Sequence, residues 1–404
     1  MQPTTNRILV IDALRGIALL GILLAHMCYW FITDGIPNKI FEQYQDVGNG
    51  IITTITELFI SGKFFAYFSF LFGLSFYLQM HSMEQQGEKF IFRYGWRIII
   101  MGIIGFLHHL CWAGDILSIY APLGLLLIPM RKLPMGLILF LGIALAINLP
   151  GKIIQLIDIF QQPPNSPAQG NINDYDTKAK AYYDIMTKAG WAALIKHNFY
   201  AFKSKFEFQF SSGRIYITYG FFLLGMYTGR KGWLQDVLQH RLQIKKIIAR
   251  SFWIMLICLL GGLGLMLGNN HFKLGWDQKP AMWLLFNFFY DTFNAALVVL
   301  YASGFTSLLY KTKRKLIFNG FATIGKMALT CYLTQTMLAL FLFYGVGLGL
   351  GGKTSPLLNW GIAIVFFILQ AILANLWLKK YQYGPIEWLW RSLTYFKLFP
   401  FRRK

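Results

Sequence analysis

The chain has 404 residues, 56% of them hydrophobic and only 14% charged, and its mean hydropathy is +0.47. This composition is typical of a polytopic membrane protein and excludes a water-soluble globular domain. The net charge of +21 does not indicate a nucleic-acid partner. Many basic residues lie in short loops and in the C-terminal tail, where they orient a membrane protein.

The first apolar stretch, residues 8–32, is long enough to cross a bilayer as a helix. It nevertheless contains Asp12, Arg15 and His26, and ionisable groups at membrane depth usually face a protein interior and have a function. At about 100° per residue, Arg15 and His26 return to within about 20° of each other. Asp12 precedes Arg15 by three residues. One stripe of the helix carries Asp12, Arg15, Leu19, Ile22 and His26, and we expect it to line a cavity or face a partner helix.

Nine further apolar stretches follow, and together with the first they predict about ten transmembrane helices. They cover residues 64–80, 98–112, 116–130, 134–149, 215–228, 252–267, 282–310, 318–344 and 358–378. With ten spans, every basic cluster of the short loops falls on one side of the membrane, which puts both termini in the cytoplasm. The predicted fold class is therefore an all-α polytopic membrane protein.

The only long hydrophilic segment, residues 150–213, lies between the fifth and sixth spans. It opens with a loop rich in Pro, Asn, Ser and Gly, and a surface helix with alternating aromatic and lysine residues is predicted over 176–203. We expect that helix to lie on the outer headgroups. Residues 1–404 thus form one transmembrane domain with a single long extracytoplasmic loop.

The third span also runs outward and ends with His108 and His109, followed by Asp115. We expect these residues and His26 to converge near the outer side of one cavity. Because neighbouring side chains on a helix point about 100° apart, at least one of the two adjacent histidines is expected to be structural. Asp115 has an alternative role as a cap of the outer turn.

The other candidate residues also have structural alternatives. Asp12 and Arg15 could be an ion pair that fixes helix packing, and His26 could be a packing histidine bonded across helices. Arg93 and Arg97, in the predicted cytoplasmic loop 81–97, suit the positive-inside rule, but they could also bind a phosphorylated ligand at the cytoplasmic mouth.

The chemistry that fits these side chains is base catalysis combined with anion binding. A histidine, with a reference pKa of about 6.5, can take a proton from a hydroxyl or amine near neutral pH, and a buried arginine can hold a phosphate. The sequence lacks the GxSxG and HExxH patterns, and the Gly-rich stretch GLGLGG at 347–352 follows a membrane helix rather than a strand, so we interpret it as a turn. The four cysteines, expected as buried thiols, show no metal-ligand spacing, so no metal is expected.

Five separated segments resemble the bacterial membrane family called domain of unknown function 418. They are IDALRGIALLGILLAH at 11–26, FFAYFSFLFG at 64–73, GFLHHLCWAGDILSIYAPLG at 105–124, GKMALTCYLTQT at 325–336 and GPIEWLWRSLTY at 384–395. The resemblance implies a multi-pass protein of the bacterial inner membrane.

That family is similar to the transmembrane acyltransferases, which include the acyltransferase-3 O-acetylases and the heparan-α-glucosaminide N-acetyltransferases. In the acyltransferase-3 group an arginine, ten residues and a histidine mark the first helix, and Arg15 and His26 have this spacing. The resemblance implies a cytoplasmic acyl-CoA donor, with acetyl-CoA the expected case. The acceptor would be a hydroxyl or amine of an envelope glycan, lipid or small metabolite, reached from the other side.

The resemblance implies separate roles for the basic and acidic groups. Arg15 would anchor the donor or orient its thioester, and Arg93 and Arg97 would stand at its entrance. His26 or His108 would be the general base. Asp12 and Asp115 would orient their partners.

The choice between the histidines stays open. Members of the 418 family often have asparagine at the position of His26, which favours His108, in G-x-x-H before GDIL; the doublet leaves His109 open as well. A second hypothesis is a transporter or lipid-handling protein without covalent chemistry, which breaks in matching helices would favour. Membrane lipids are expected partners under both hypotheses, and a homodimer is compatible with both.

Overall fold

The computed structural model describes residues 5–33, 35–85, 90–161, 172–273, 275, 279–311 and 315–403. Within these ranges the chain is helical and contains no strand, apart from an isolated bridge between Tyr381 and Arg402. The first nine helices are α1 (Thr5–Cys28), α2 (Asn38–Phe41), α3 (Val47–Ile55), α4 (Phe64–Gln85), α5 (Phe90–Cys111), α6 (Leu117–Met130), α7 (Met135–Ala146), α8 (Leu149–Gln161) and α9 (Ile172–Lys188). The others are α10 (Trp191–Ser211), α11 (Arg214–Lys231), α12 (Arg241–Phe272), α13 (Pro280–Lys311), α14 (Lys315–Lys326), α15 (Ala328–Phe343), α16 (Pro356–Lys380) and α17 (Pro385–Tyr395).

Six stretches of the described residues are long and apolar enough to cross a membrane, and two bent helix pairs raise the number to as many as eight. The prediction of an all-α polytopic membrane protein is confirmed to that extent. Two of the ten predicted spans fall short of this measure. Helix α6 has only 14 residues, and α11 carries three basic residues among its 18.

Two pairs of helices meet at sharp bends that the sequence did not predict. Helices α7 and α8 meet at 53°, and α14 and α15 meet at 89°. At the first bend, Asn148 has a φ of +56°, which ends a helix. At the second, the carboxylate of Glu387 accepts hydrogen bonds from the amides of Leu329 and Thr330, at 2.7 and 3.0 Å, and so caps the new start of α15. This cap comes from a residue far along the chain, which local patterning does not reveal.

The segment after the fifth span also differs from its prediction. The chain stays helical through α8, and the single surface helix predicted over 176–203 is two helices, α9 and α10, because Gly190 is extended between them. Helix α10 packs against α5 and α11, so it is part of the bundle on one face.

Small residues allow two pairs of helices to cross at backbone contact. A Cβ at Gly325 would lie 1.7 Å from the carbonyl oxygen of Asp12, and one at Gly16 would lie 2.1 Å from a carbonyl oxygen of α14. Helices α4 and α11 cross in the same way at Gly73 and Gly225. Such close crossings are characteristic of helix packing in membranes. The first one places the end of α14 beside the charged residues of α1.

Candidate membrane-embedded active site

A cavity of about 240 Å³ lies between α1, α4, α5, α6, the bend of α14 and α15, and α17. Three members of the predicted stripe, Arg15, Leu19 and Ile22, line it from α1. Asp12 and His26 do not line it. The spacing on α1 therefore points a charged group and two apolar groups into one internal space.

Arg15 is held in place by two side chains. Its guanidinium donates to Asp12 Oδ1 at 2.8 Å and to Ser75 Oγ at 2.7 Å. The Asp12 side chain is 6% exposed, whereas that of Arg15 is 29% exposed toward the cavity. Because a guanidinium has five N–H donors, Arg15 is oriented by Asp12 and still presents donors to a ligand.

A second arginine enters the same cavity from α5. The guanidinium carbon of Arg97 lies 4.0 Å from the ring centroid of Trp390, whose indole N–H donates to the Arg97 carbonyl at 2.8 Å. Within the described part of the chain, no carboxylate lies within ion-pair distance of Arg97. Arg93 stacks on Tyr395 at 4.7 Å and does not line the cavity. Both arginines lie inside α5, which begins at Phe90, rather than in the loop that the sequence predicted.

Sequence reasoning missed four further side chains of the cavity wall. They are Ser75, Lys326, Glu387 and Trp390. Lys326 is exposed at the end of α14, next to Asp12. Three of the four lie in the segments GKMALTCYLTQT and GPIEWLWRSLTY. The family resemblance of these two segments was the sequence feature that could have identified them. The cavity thus has one cationic end, formed by Arg15, Arg97 and Lys326.

The end of α5 carries a hydrogen-bonded pair of ionisable side chains. His108 Nδ1 lies 2.8 Å from Asp115 Oδ1. Asp115, whose side chain is 0% exposed, also accepts from the amides of Leu117 and Ser118 at 3.2 and 2.8 Å. Asp115 is therefore both the partner of His108 and the cap of α6, the two roles that the sequence left as alternatives.

The negative charge of Asp115 determines which ring nitrogen of His108 carries the proton in this pair. Burial opposes ionisation of Asp115, but the hydrogen bond from His108 and the nearby charge of Lys205 outweigh it and hold the pKa of Asp115 below its usual value. A carboxylate accepts, so Nδ1 carries the proton, and in a neutral imidazole the lone pair is then on Nε2. That Nε2 atom is buried and has no hydrogen-bond partner among the described residues. The His108 ring packs edge-on against Tyr332, 5.1 Å between centroids, and Tyr332 lines the cavity.

Lys205, which sequence reasoning did not single out, reaches this pair from α10. Its Nζ lies 3.7 Å from Asp115 Oδ2 and donates to Ser118 Oγ at 2.9 Å. Burial lowers the pKa of Lys205 to about 8. His109 has both ring nitrogens engaged, with Nε2 2.8 Å from the Asn198 carbonyl and Nδ1 3.2 Å from Lys205 Nζ. His109 therefore ties α5 to α10.

His26 and His108 converge on one residue, Trp112. The His26 ring lies 4.9 Å from the Trp112 ring and 5.2 Å from that of Phe31, and the His108 ring lies 5.8 Å from Trp112. Within the described chain, His26 has no side-chain hydrogen bond. It is held by aromatic contacts, beyond the end of the cavity.

The ligand groups that this site can bind follow from its charges. Among the described residues, no three His, Cys, Asp or Glu side chains are placed to hold a metal ion, and the four cysteines are unpaired. The cationic end of the cavity suits phosphates. The His108–Asp115 pair, about 16 Å further along α5 at 1.5 Å per residue, suits proton transfer.

Comparisons with known proteins name a family but no activity. The family model described as "Protein of unknown function (DUF418)" matches residues 228–397. The chain is 28% identical to "Uncharacterized protein YxaH" of Bacillus subtilis, over 100% of this chain and 98% of that protein. It is 26% identical to "Uncharacterized protein YeiB" of Escherichia coli, over 96% of each. No solved structure matches. The DUF418 model thus matches residues 228–397, and it describes the family that the sequence motifs resemble.

Proposed function

We propose that this protein is a membrane-embedded acyltransferase. It moves an acyl group, acetyl in the expected case, from cytoplasmic acyl-CoA to a hydroxyl or amine of an envelope glycan, lipid or small metabolite. The observation that carries the proposal is the buried His108–Asp115 pair, whose unsatisfied Nε2 lies one side chain behind the wall of a cavity with a cationic far end.

The cationic end would receive the phosphates of the donor. Arg97 has no carboxylate partner in the described chain, and Arg15 keeps donors free after bonding Asp12 and Ser75. Arginine binds phosphate oxygens through paired N–H donors. The donor would then extend along the apolar wall toward His108. Arg93, stacked on Tyr395 outside the cavity, would add positive charge at the entrance.

His108 would act first as a base and then as an acid. Its Nε2 takes the proton of the acceptor as the acceptor oxygen or nitrogen attacks the thioester carbonyl carbon. When the tetrahedral intermediate collapses, the carbon–sulfur bond breaks and the proton passes from Nε2 to the leaving thiolate. The acylated acceptor and free CoA depart, and the imidazole is neutral again. Tyr332 is the ring that an acceptor would displace to reach Nε2.

The proposal assigns an orientation to the chain in the bacterial inner membrane. Helices α6 and α11 would complete ten spans, with both termini in the cytoplasm. Arg97 and Lys326 would then lie toward the cytoplasm, where acyl-CoA is found. His108 and the segment 150–213 would lie toward the outside, where the acceptor enters.

Release of CoA from acetyl-CoA by the purified protein in nanodiscs tests the proposal. The wild type and a His271→Ala variant, which changes an exposed histidine at the end of α12, are expected to turn over equally. A His26→Ala, His108→Ala double variant is expected to be inactive. Full turnover by the double variant would overturn the assignment.

A transporter is the second candidate, and the two bent helix pairs favour it, because broken helices often form transport sites. Thermal stabilisation by acetyl-CoA separates the two candidates. An acyltransferase is expected to melt at a higher temperature with millimolar acetyl-CoA. Absence of both stabilisation and CoA release would favour the transporter.

A further inference from the structure

A second cavity, of about 160 Å³, lies at the other end of α4 from the cationic end of the first. The first turns of α4 and α11, the end of α7 and the middle of α13 surround it. Its wall includes Arg214, Tyr290, Asp291 and Asn294. Phe65 lines this cavity and Phe68, about one turn later on the same face of α4, lines the first, so the two spaces follow one another along α4.

Arg214 supplies a positive charge to this second cavity. Its guanidinium carbon lies 5.1 Å from the ring centroid of Phe65 and 5.6 Å from that of Phe208. In the described part of the chain, no carboxylate forms an ion pair with Arg214 and no acceptor receives a hydrogen bond from it. A guanidinium supported by aromatic faces, with unused donors, is a ready site for an anion.

The cavity also offers a hydrogen-bond acceptor. Asn294 Oδ1 is buried and has no partner among the described residues, which is costly unless a ligand supplies a donor. Asp291 forms an ion pair with Lys152 and accepts from the Asn148 amide at 3.3 Å. Because Lys152 neutralises it, Asp291 does not cancel the charge of Arg214.

We infer that the second cavity binds a phosphate ester that carries a hydroxyl group. The phosphate pairs with Arg214, and the hydroxyl donates to Asn294 Oδ1. The ester can be a lipid headgroup of the glycerol phosphate type or a free glycerol phosphate. Tyr290, 43% exposed, borders the mouth as aromatic residues do at membrane interfaces. This inference does not rest on acyl transfer.

Native mass spectrometry of the full chain with phosphatidylglycerol tests the inference. The wild type and Arg250→Gln, which changes an exposed arginine of α12, are expected to retain the lipid equally. Arg214→Gln is expected to retain about tenfold less, and Arg214→Lys an intermediate amount. Equal retention by Arg214→Gln and Arg250→Gln would overturn the inference, as would equal loss in the Gln and Lys variants.

Two further arms identify the ligand. Asn294→Leu is expected to weaken retention of phosphatidylglycerol but not of phosphatidic acid, which lacks the headgroup hydroxyl; equal loss of both overturns the role of Asn294. If glycerol phosphate raises the melting temperature of the wild type but not of Arg214→Gln, the ligand is the free ester. Retention of phosphatidylglycerol without that shift assigns it to the lipid. If neither ligand binds, the inference is overturned. CoA release, which tests the proposed acyl transfer, does not depend on that result.

Discussion

Helices α1 and α5 each carry an arginine and a histidine eleven residues apart, Arg15 with His26 and Arg97 with His108. Both arginines line the same cavity, and both histidines lie against Trp112. The histidines differ in their partners. His26 is surrounded by rings, whereas His108 is bonded to a carboxylate and keeps an unsatisfied nitrogen. Equal spacing on two helices thus places the two histidines in different surroundings.

The neighbouring turns explain this difference. After α1, Trp30 and Phe31 adopt positive φ angles of 51° and 56°, which fold the Phe31 ring back onto His26. After α5, a short turn brings Asp115 to His108. A carboxylate orients a histidine and stabilises its protonated form, which aromatic contacts alone do not do.

The strongest test of this comparison replaces each histidine separately. His108→Ala is expected to lower CoA release about 10²- to 10⁴-fold, the usual contribution of a general base. His26→Ala is expected to cost less than about tenfold, because its ring makes no hydrogen bond in the described structure. Single-turnover rates with acetyl-CoA measure both. The reverse order would make α1 the catalytic helix.

The carboxylate that distinguishes the two sites is the next target. Asp115→Asn removes the negative charge that holds Nδ1–H and is expected to lower turnover about 10²-fold. Asp236→Asn, at an exposed position before α12, serves as the matched control. Normal turnover in Asp115→Asn would show that capping of α6 is the only role of Asp115.

The next prediction concerns Arg97, at the opposite end of α5 from His108. Arg97→Gln is expected to raise the KM for acetyl-CoA about tenfold and to change kcat little, because a lost charge-assisted hydrogen bond weakens binding by about that factor. Arg250→Gln is the control. A fall in kcat with unchanged KM would place Arg97 in the reaction rather than in donor binding.

The smallest expected effect is a pH-dependent change in stability at Lys205. Burial lowers its pKa to about 8 from the ordinary lysine value of 10.5. Between these values the unfolded chain binds more protons than the folded one, so the contribution of Lys205 becomes more favourable as pH rises through that window. The free energy of unfolding of the wild type, minus that of Lys205→Met, is expected to rise by at most about 1.4 kcal/mol per pH unit. If this difference in the free energy of unfolding does not change with pH, the lowered pKa of Lys205 is contradicted.

The pattern of apolar and charged residues in the sequence predicted the fold class and part of the candidate site. Long apolar helices with few charges follow from composition, since each span must satisfy its own backbone hydrogen bonds in lipid. The period of α1 placed Arg15, Leu19 and Ile22 on one face, and they line one cavity. The bend at Met327 was not predictable, because the residue that caps α15 there, Glu387, is distant in sequence.

The sequence by itself determined which side chains are ionisable at depth and which helix faces they occupy, because helical periodicity is local. Tertiary structure alone decided which distant groups contact them. It brought Lys205 from α10 to Asp115 and Trp390 from α17 to Arg97, and it placed the Trp112 ring against His26. A hydrogen bond needs atoms within about 3 Å, and only the packing of distant helices sets such distances.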